Sequence, residues 1–174
     1  SKNYQTFRKK KEFNNQLDKC YLLLGKAYFY KKKYTMANNT LRFIQRQYAE
    51  DEALMTEVSS WLFRSLTEMG RYEEAARIMD RLDGSTLKRK QREMVAAART
   101  DFYVRQGMYE QAIPEAERLV RTCKSIKRKP RYNFLLSQLY VKENQDGAAK
   151  LALKKATRFN FNYEMVFNAR IGMA

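Results

Sequence analysis

Histidine is absent from all 174 residues. With it go the commonest general base, the commonest metal ligand and every Ser/His or Cys/His nucleophile pair. Cysteine is almost absent, and Cys20 and Cys123 alone cannot enclose a zinc ion. There is no glycine-rich phosphate loop. Paired carboxylates such as Glu73–Glu74 fit a solvated helix face. The chain therefore reads as a non-enzyme with no cofactor and no metal site. No run approaches the ~20 apolar residues of a membrane-spanning helix, and no signal peptide is visible. The sequence opens "SKNYQ" without methionine and reads as an excised or processed piece, so the missing signal says nothing about compartment. Six glycines and two prolines are few breakers for this length, which favours long helices over many short strands.

What is present is charge, helix formers and repetition. The composition is 44% hydrophobic, enough to bury a core, and rich in Leu, Ala, Lys, Arg, Glu and Gln. The net charge of +16 biases the chain toward acidic partners: nucleic acid, an anionic membrane or an acidic protein surface. Charge alone does not choose among them, and a solvated basic face without a ligand is the plain alternative.

The stretch "GRYEEA" at Gly70 returns as "GMYEQA" at Gly107, sharing G-x-Y-x-x-A. "KKYTMA" from Lys32 fits the same frame, and "NQDGAA" from Asn144 fits it more weakly. A second signature lies upstream: Tyr21-x-x-Leu24-Gly25-x-x-Tyr28, then Leu62-Phe63-x-x-Leu66, Tyr103 alone, and Leu136-Ser137-x-x-Tyr140. Spacings of three and four put each set on one helix face. Gly25 and Ser137 are small enough to admit a partner helix, and Ala37, Ala75, Ala112 and Ala149 are the matching small contacts. Gly70 and Gly107 end a helix where a left-handed residue is tolerated, and Tyr34, Tyr72 and Tyr109 plug the turn. Each unit is then a helix hairpin that buries its apolar face only by stacking on its neighbours.

This pattern resembles the tetratricopeptide repeat (TPR) family across nearly the whole chain. The expected fold is all-α: a right-handed superhelical solenoid of antiparallel helix hairpins. One domain over 1–174 would hold repeats at about 18–55, 56–92, 93–129 and 130–163, with an extra helix over 163–174. Helices are expected at 12–32, 35–49, 53–69, 72–83, 88–106, 109–124, 131–143, 146–159 and 163–173. A kink is expected at Pro114, past the first helical turn. The last helix carries Met165, Val166, Phe167 and Ile171 in place of a polar cap, which suggests a fragment of a longer array or an end covered by a partner. Cys20 and Cys123 fall in repeats one and three, so no disulfide is expected between them.

In the repeat frame the first helix of each hairpin lines a concave groove. Its candidate contacts are Lys19, Leu22, Lys26, Tyr30, Arg64, Arg105, Phe134 and Lys142, which suit an acidic or apolar peptide. The carboxylate clamp of chaperone-binding TPRs is not matched: its places hold Leu22, Lys26, Trp61, Met94 and Ala98. Two basic connections, with Lys88, Arg89, Lys90 and Arg92 in one and Lys124, Lys127, Arg128, Lys129 and Arg131 in the other, occupy equivalent places in adjacent repeats. They are expected to merge into one partner-binding ridge, with Arg8–Lys11 entering near it. The equivalent turn after the first repeat is acidic, at Glu50, Asp51 and Glu52, and Lys31–Lys33 belong to the opposite edge.

"FNNQLDKCYLLLGKAYFYKKKYTMANNTLRFI", "RYNFLLSQLYVKENQDGAA" and "YEMVFNARI" further resemble the N-terminal TPR region of the gliding-motility and type IX secretion lipoproteins of the SprE/PorW family. That resemblance implies a structural link between periplasmic rings and the outer-membrane translocon. It also implies a location in the periplasm, with a lipid anchor upstream of this chain, since Cys20 has no lipobox before it. The alternative is a basic helical-repeat protein holding RNA or another polyanion non-specifically. Sequence-specific reading of RNA is disfavoured, because Leu22, Phe134 and Ala97 stand where small polar readers are needed.

Overall fold

A computed structural model describes residues 16–82, 87–158 and 168. They form α-helices and no strand: α1 (Leu17–Tyr30), α2 (Tyr34–Gln47), α3 (Glu52–Glu68), α4 (Tyr72–Arg81), α5 (Arg89–Arg105), α6 (Tyr109–Thr122), α7 (Lys129–Lys142) and α8 (Asp146–Thr157). Every expected helix on described residues is present, with ends moved by at most two residues. The expected start at residue 12, the basic run Arg8–Lys11 and, apart from residue 168, the final helix over 163–173 lie outside the described residues. The chain divides into two compact units, residues 1–82 with α1–α4 and residues 83–174 with α5–α8, so each unit holds two helix hairpins.

The four hairpin joints share one construction. Lys32, Gly70, Gly107 and Asn144 all take positive φ, between 56° and 72°. The next residue's N–H reaches back five positions: Lys33 to Tyr28 O at 2.9 Å, Arg71 to Leu66 O at 2.9 Å, Met108 to Tyr103 O at 2.9 Å and Gln145 to Tyr140 O at 2.8 Å. The left-handed residue itself donates to Phe29, Thr67, Val104 and Val141. This is the Schellman closure, which satisfies the last carbonyls of a helix. Glycine takes it freely, whereas Lys32 and Asn144 take it against the steric cost of a Cβ.

In the first unit α3 packs against α1, α2 and α4, which explains why it is buried on almost every side between Val58 and Thr67. Val58, Leu62, Phe63 and Leu66 are fully buried, with Trp61 close behind. Ser60, Ser65 and Thr67 return their hydroxyls to carbonyls four residues back, at 2.8–2.9 Å, and so enter the core satisfied. On α2, Ala37, Leu41 and Ile44 follow a four-then-three spacing and are all fully buried; Leu41 and Ile44 each contribute roughly 2 kcal/mol by burial. A Cβ added at Gly25 would stand 3.0 Å from Leu41 Cδ2, so α1 and α2 approach closely only because that position is bare.

The second unit repeats the scheme. Ala112, Ile113 and Ala116 of α6 meet Leu136 and Leu139 of α7, with Tyr103, Tyr109 and Tyr140 packed at the margin. Ala149 and Ala156 of α8 are buried, as are Ala37, Ala75 and Ala112 at the equivalent hairpin positions. Between α5 and α6 a buried Arg99–Glu115 pair spans 3.3 Å, and Arg118 reaches the same carboxylate at 3.6 Å. Pro114 is exposed inside an α6 that continues past it for eight residues. Pro130 falls in the first turn of α7, where a missing N–H costs nothing, so that helix starts earlier than the expected residue 131.

Candidate functional site

The two basic connections adjoin in the second unit. Arg89, in the first turn of α5, donates to Thr122 O at the C-terminal end of α6, at 3.1 Å. Arg128, just before α7, lies 3.0 Å from Glu93 Oε1 on α5, and Arg89 lies 3.8 Å from the other oxygen of that carboxylate. Glu93 is only 4% exposed. It is a buried anion that ties the two cationic segments together. Cys123 lies beside it, and burial pushes the thiol's pKa up and keeps it neutral. Tyr132 is raised by burial as well, with Arg128 pulling the other way. Both cysteines are free, Cys20 exposed and Cys123 buried.

Arg89 and Arg128 thus serve the protein itself. The other seven ridge residues, Lys88, Lys90, Arg92, Lys124, Lys127, Lys129 and Arg131, are exposed and meet no carboxylate among the described residues. Their position is electrostatically costly. A helix N-terminus carries a partial positive charge that favours acidic residues and disfavours basic ones by about 0.3–1 kcal/mol each. The first turns of α5 and α7 contain no acidic residue and begin with Arg89-Lys90 and Lys129. In the first unit α3 and α4 obey the usual rule, although α2, capped by Lys33, does not: Asp51 caps α3 by accepting from Leu54 N–H at 2.9 Å, Glu52 follows it, and Glu73 and Glu74 open α4. In the second unit α5 and α7 therefore present surplus positive potential where the two basic connections adjoin.

The candidate groove residues divide between the units. In the first, Lys26 Nζ pairs with Glu57 Oε1 at 2.6 Å, and Arg64 stacks on two aromatic rings, 4.7 Å from the Phe29 centroid and 4.3 Å from that of Trp61. Tyr30 is 71% exposed and Lys19 is exposed too. Leu22 is the departure: at 6% exposure it packs in the core with Leu41, Ile44 and Leu62, because α1 turns that side toward its own hairpin partner. In the second unit Arg105 pairs with Asp101 at 3.0 Å, Lys142 lies 6.0 Å from the Tyr109 ring centroid, and Phe134 is half-buried. An open cleft of about 290 Å³ is lined by residues of α6, α7 and α8. At its wall the Tyr140 hydroxyl donates to Glu117 at 2.6 Å, and burial followed by that carboxylate pushes the Tyr140 pKa up to about 12. Among the described residues no His, Cys, Asp and Glu side chains group to hold a metal ion.

Two residues had no legible role in the sequence. Glu93 sits in "KRKQREM" and looks like one more solvated charge; only the packing of α5 against the 123–128 connection buries it. Trp61 was visible only as a non-match to the carboxylate clamp.

With this geometry in place, comparison with known proteins is informative at one point. The tetratricopeptide repeat model matches residues 130–163, which span α7 and α8. That segment is the one whose joint uses Asn144 and Asp146 where the central repeats use glycine and tyrosine. A search of curated proteins found no match. The other three hairpins are similar to the matched one in their joints, their buried alanines and their spacing. No described helix is long and apolar enough to cross a membrane.

Proposed function

We propose that the protein is a binding scaffold whose second unit docks an acidic surface of another protein on the ridge formed by the 88–92 and 124–131 segments. The observation that supports this is the set of seven cations, without a carboxylate partner among the described residues, at and just before the N-termini of α5 and α7, in connections tied together through Glu93. An arrangement that costs stability in isolation is offset when an anionic partner arrives. The tetratricopeptide match over 130–163 supports protein binding as the general role.

At a finer level, the resemblance to the SprE/PorW lipoproteins leads to a structural component of the type IX secretion and gliding machinery. In that reading the chain links periplasmic rings to the outer-membrane translocon through an anchor outside it. Charge reversal at Lys88, Lys90, Lys127 and Lys129, with helicity checked by circular dichroism, should weaken pull-down of the machinery's components. Undiminished capture would sink the ridge. The same seven cations also suit phosphates, so a second reading is non-specific RNA binding. It is separated by a gel-shift titration with random RNA at physiological salt, where tight, saturable binding would favour nucleic acid.

A further inference from the structure

The first unit carries a second, separate recognition surface, and we propose that it receives a peptide carboxylate flanked by an apolar side chain. The surface lies where α1 and α3 run side by side. Phe29 and Trp61 meet edge to face at 5.2 Å, and Tyr30 stands edge-on to Trp61 at 5.6 Å. The Arg64 guanidinium lies on the two inner rings, Phe29 and Trp61. Lying over both rings confines the guanidinium and leaves its N–H groups to find acceptors of their own. Among the described residues none does so: Arg64 has neither a hydrogen bond nor an ion pair.

The neighbouring cation is already used. Lys26 is held by Glu57 at 2.6 Å, so Arg64 is the spare cation between the two helices, with the exposed Lys31–Lys33 following Tyr30 at the joint. A single confined fork of donors matches one carboxylate, in the two-pronged geometry that arginine and carboxylate share. A phosphate backbone would engage Lys31–Lys33 as well, whereas the two rings beneath Arg64 favour a single carboxylate next to an apolar group. Tyr30 supplies the second element of recognition. It is 71% exposed beside the stacked arginine, a large aromatic surface left in water at the end of α1. An apolar side chain next to the bound carboxylate would cover it. The occupant that fits is therefore an acidic peptide segment of a partner protein with an aromatic or large aliphatic residue beside its Asp or Glu.

This surface is independent of the basic ridge, and the experiment keeps the two apart. Trp61 is the one tryptophan in the chain. It is 6% exposed and lies directly under Arg64, so its emission reports events at the patch. The full chain is titrated with a capped peptide centred on Asp-Phe-Asp and with its Asn-Phe-Asn counterpart, following Trp61 fluorescence and calorimetry. The acidic peptide should bind at least about tenfold more tightly. Arg64→Lys, which keeps the charge but loses the planar fork, should weaken it by about tenfold. Tyr30→Ala, a change at an exposed position, should weaken it as well. Reversal of Lys88, Lys90, Lys127 and Lys129 should leave the Trp61 response intact.

Equal binding of the two peptides would overturn the proposal, as would an Arg64→Lys protein that binds like the parent, since net charge would then account for everything. Loss of the signal on ridge reversal would move the site to the second unit. A stronger Trp61 response to an oligothymidylate than to the acidic peptide would assign the patch to nucleic acid.

Discussion

Lys32 and Asn144 stand in the left-handed backbone that Gly70 and Gly107 occupy at the other two joints. For a residue with a Cβ that conformation costs roughly 1–2 kcal/mol. Lys32 is exposed, so Lys32→Gly should raise the urea midpoint by about 1 kcal/mol of stability. Gly107→Ala should lower it by a similar amount, although no atom lies within 4 Å of the added methyl, so that the loss is one of backbone alone. Tyr140 gives a prediction in pH. Its folded pKa, about 12, lies above the ordinary value of 10.0 because the neutral hydroxyl is buried and donates to Glu117. The contribution is fully present below pH 10 and is lost as pH rises from there through about 12. Urea titrations across that window should show a steeper fall for the parent than for Tyr140→Phe.

Among the elements, α6 departs most from what its residues favour. Pro114 is its sixth residue, removes the N–H that would bond Glu110 O, and crowds that carbonyl. Pro114→Ala should stabilise the second unit by about 1–3 kcal/mol in thermal melts; a neutral or destabilising result would show that the surroundings have adapted to the ring. The helices themselves were legible because three- and four-residue spacing, the small residues Gly25 and Ala37, and the glycines at 70 and 107 all act within one or two turns. Leu22 was misplaced into the groove for the opposite reason. A position on a helix face is fixed by sequence, but which neighbour covers that face depends on residues far along the chain, here Leu41 and Leu62. The Arg64 stack and the Glu93 tie are of the same kind. Each joins residues on different helices, with no local spacing to announce it.

The whole molecule carries +16, and its self-repulsion is screened once the Debye length falls below about 10 Å near 0.1 M salt. Raising salt should therefore raise the melting temperature of the free protein while weakening its hold on an acidic partner. These opposite signs, measured by calorimetry and by binding at matched salt, separate diffuse repulsion from the specific pairs. A melting temperature that falls with salt would mean that ion pairs such as Lys26–Glu57 and Arg99–Glu115 outweigh the repulsion.

The joint at Lys31, Lys32 and Lys33 has one more consequence. A tri-lysine turn on the surface looks like the first place trypsin would cut. A protease must draw its substrate out into an extended strand, and here the Lys33 and Lys32 amides are bonded back onto α1 at Tyr28 and Phe29. Cleavage has to wait for the end of that helix to unwind. In brief digestion the three lysines should outlast their exposure, and the first fragments should end elsewhere in the chain.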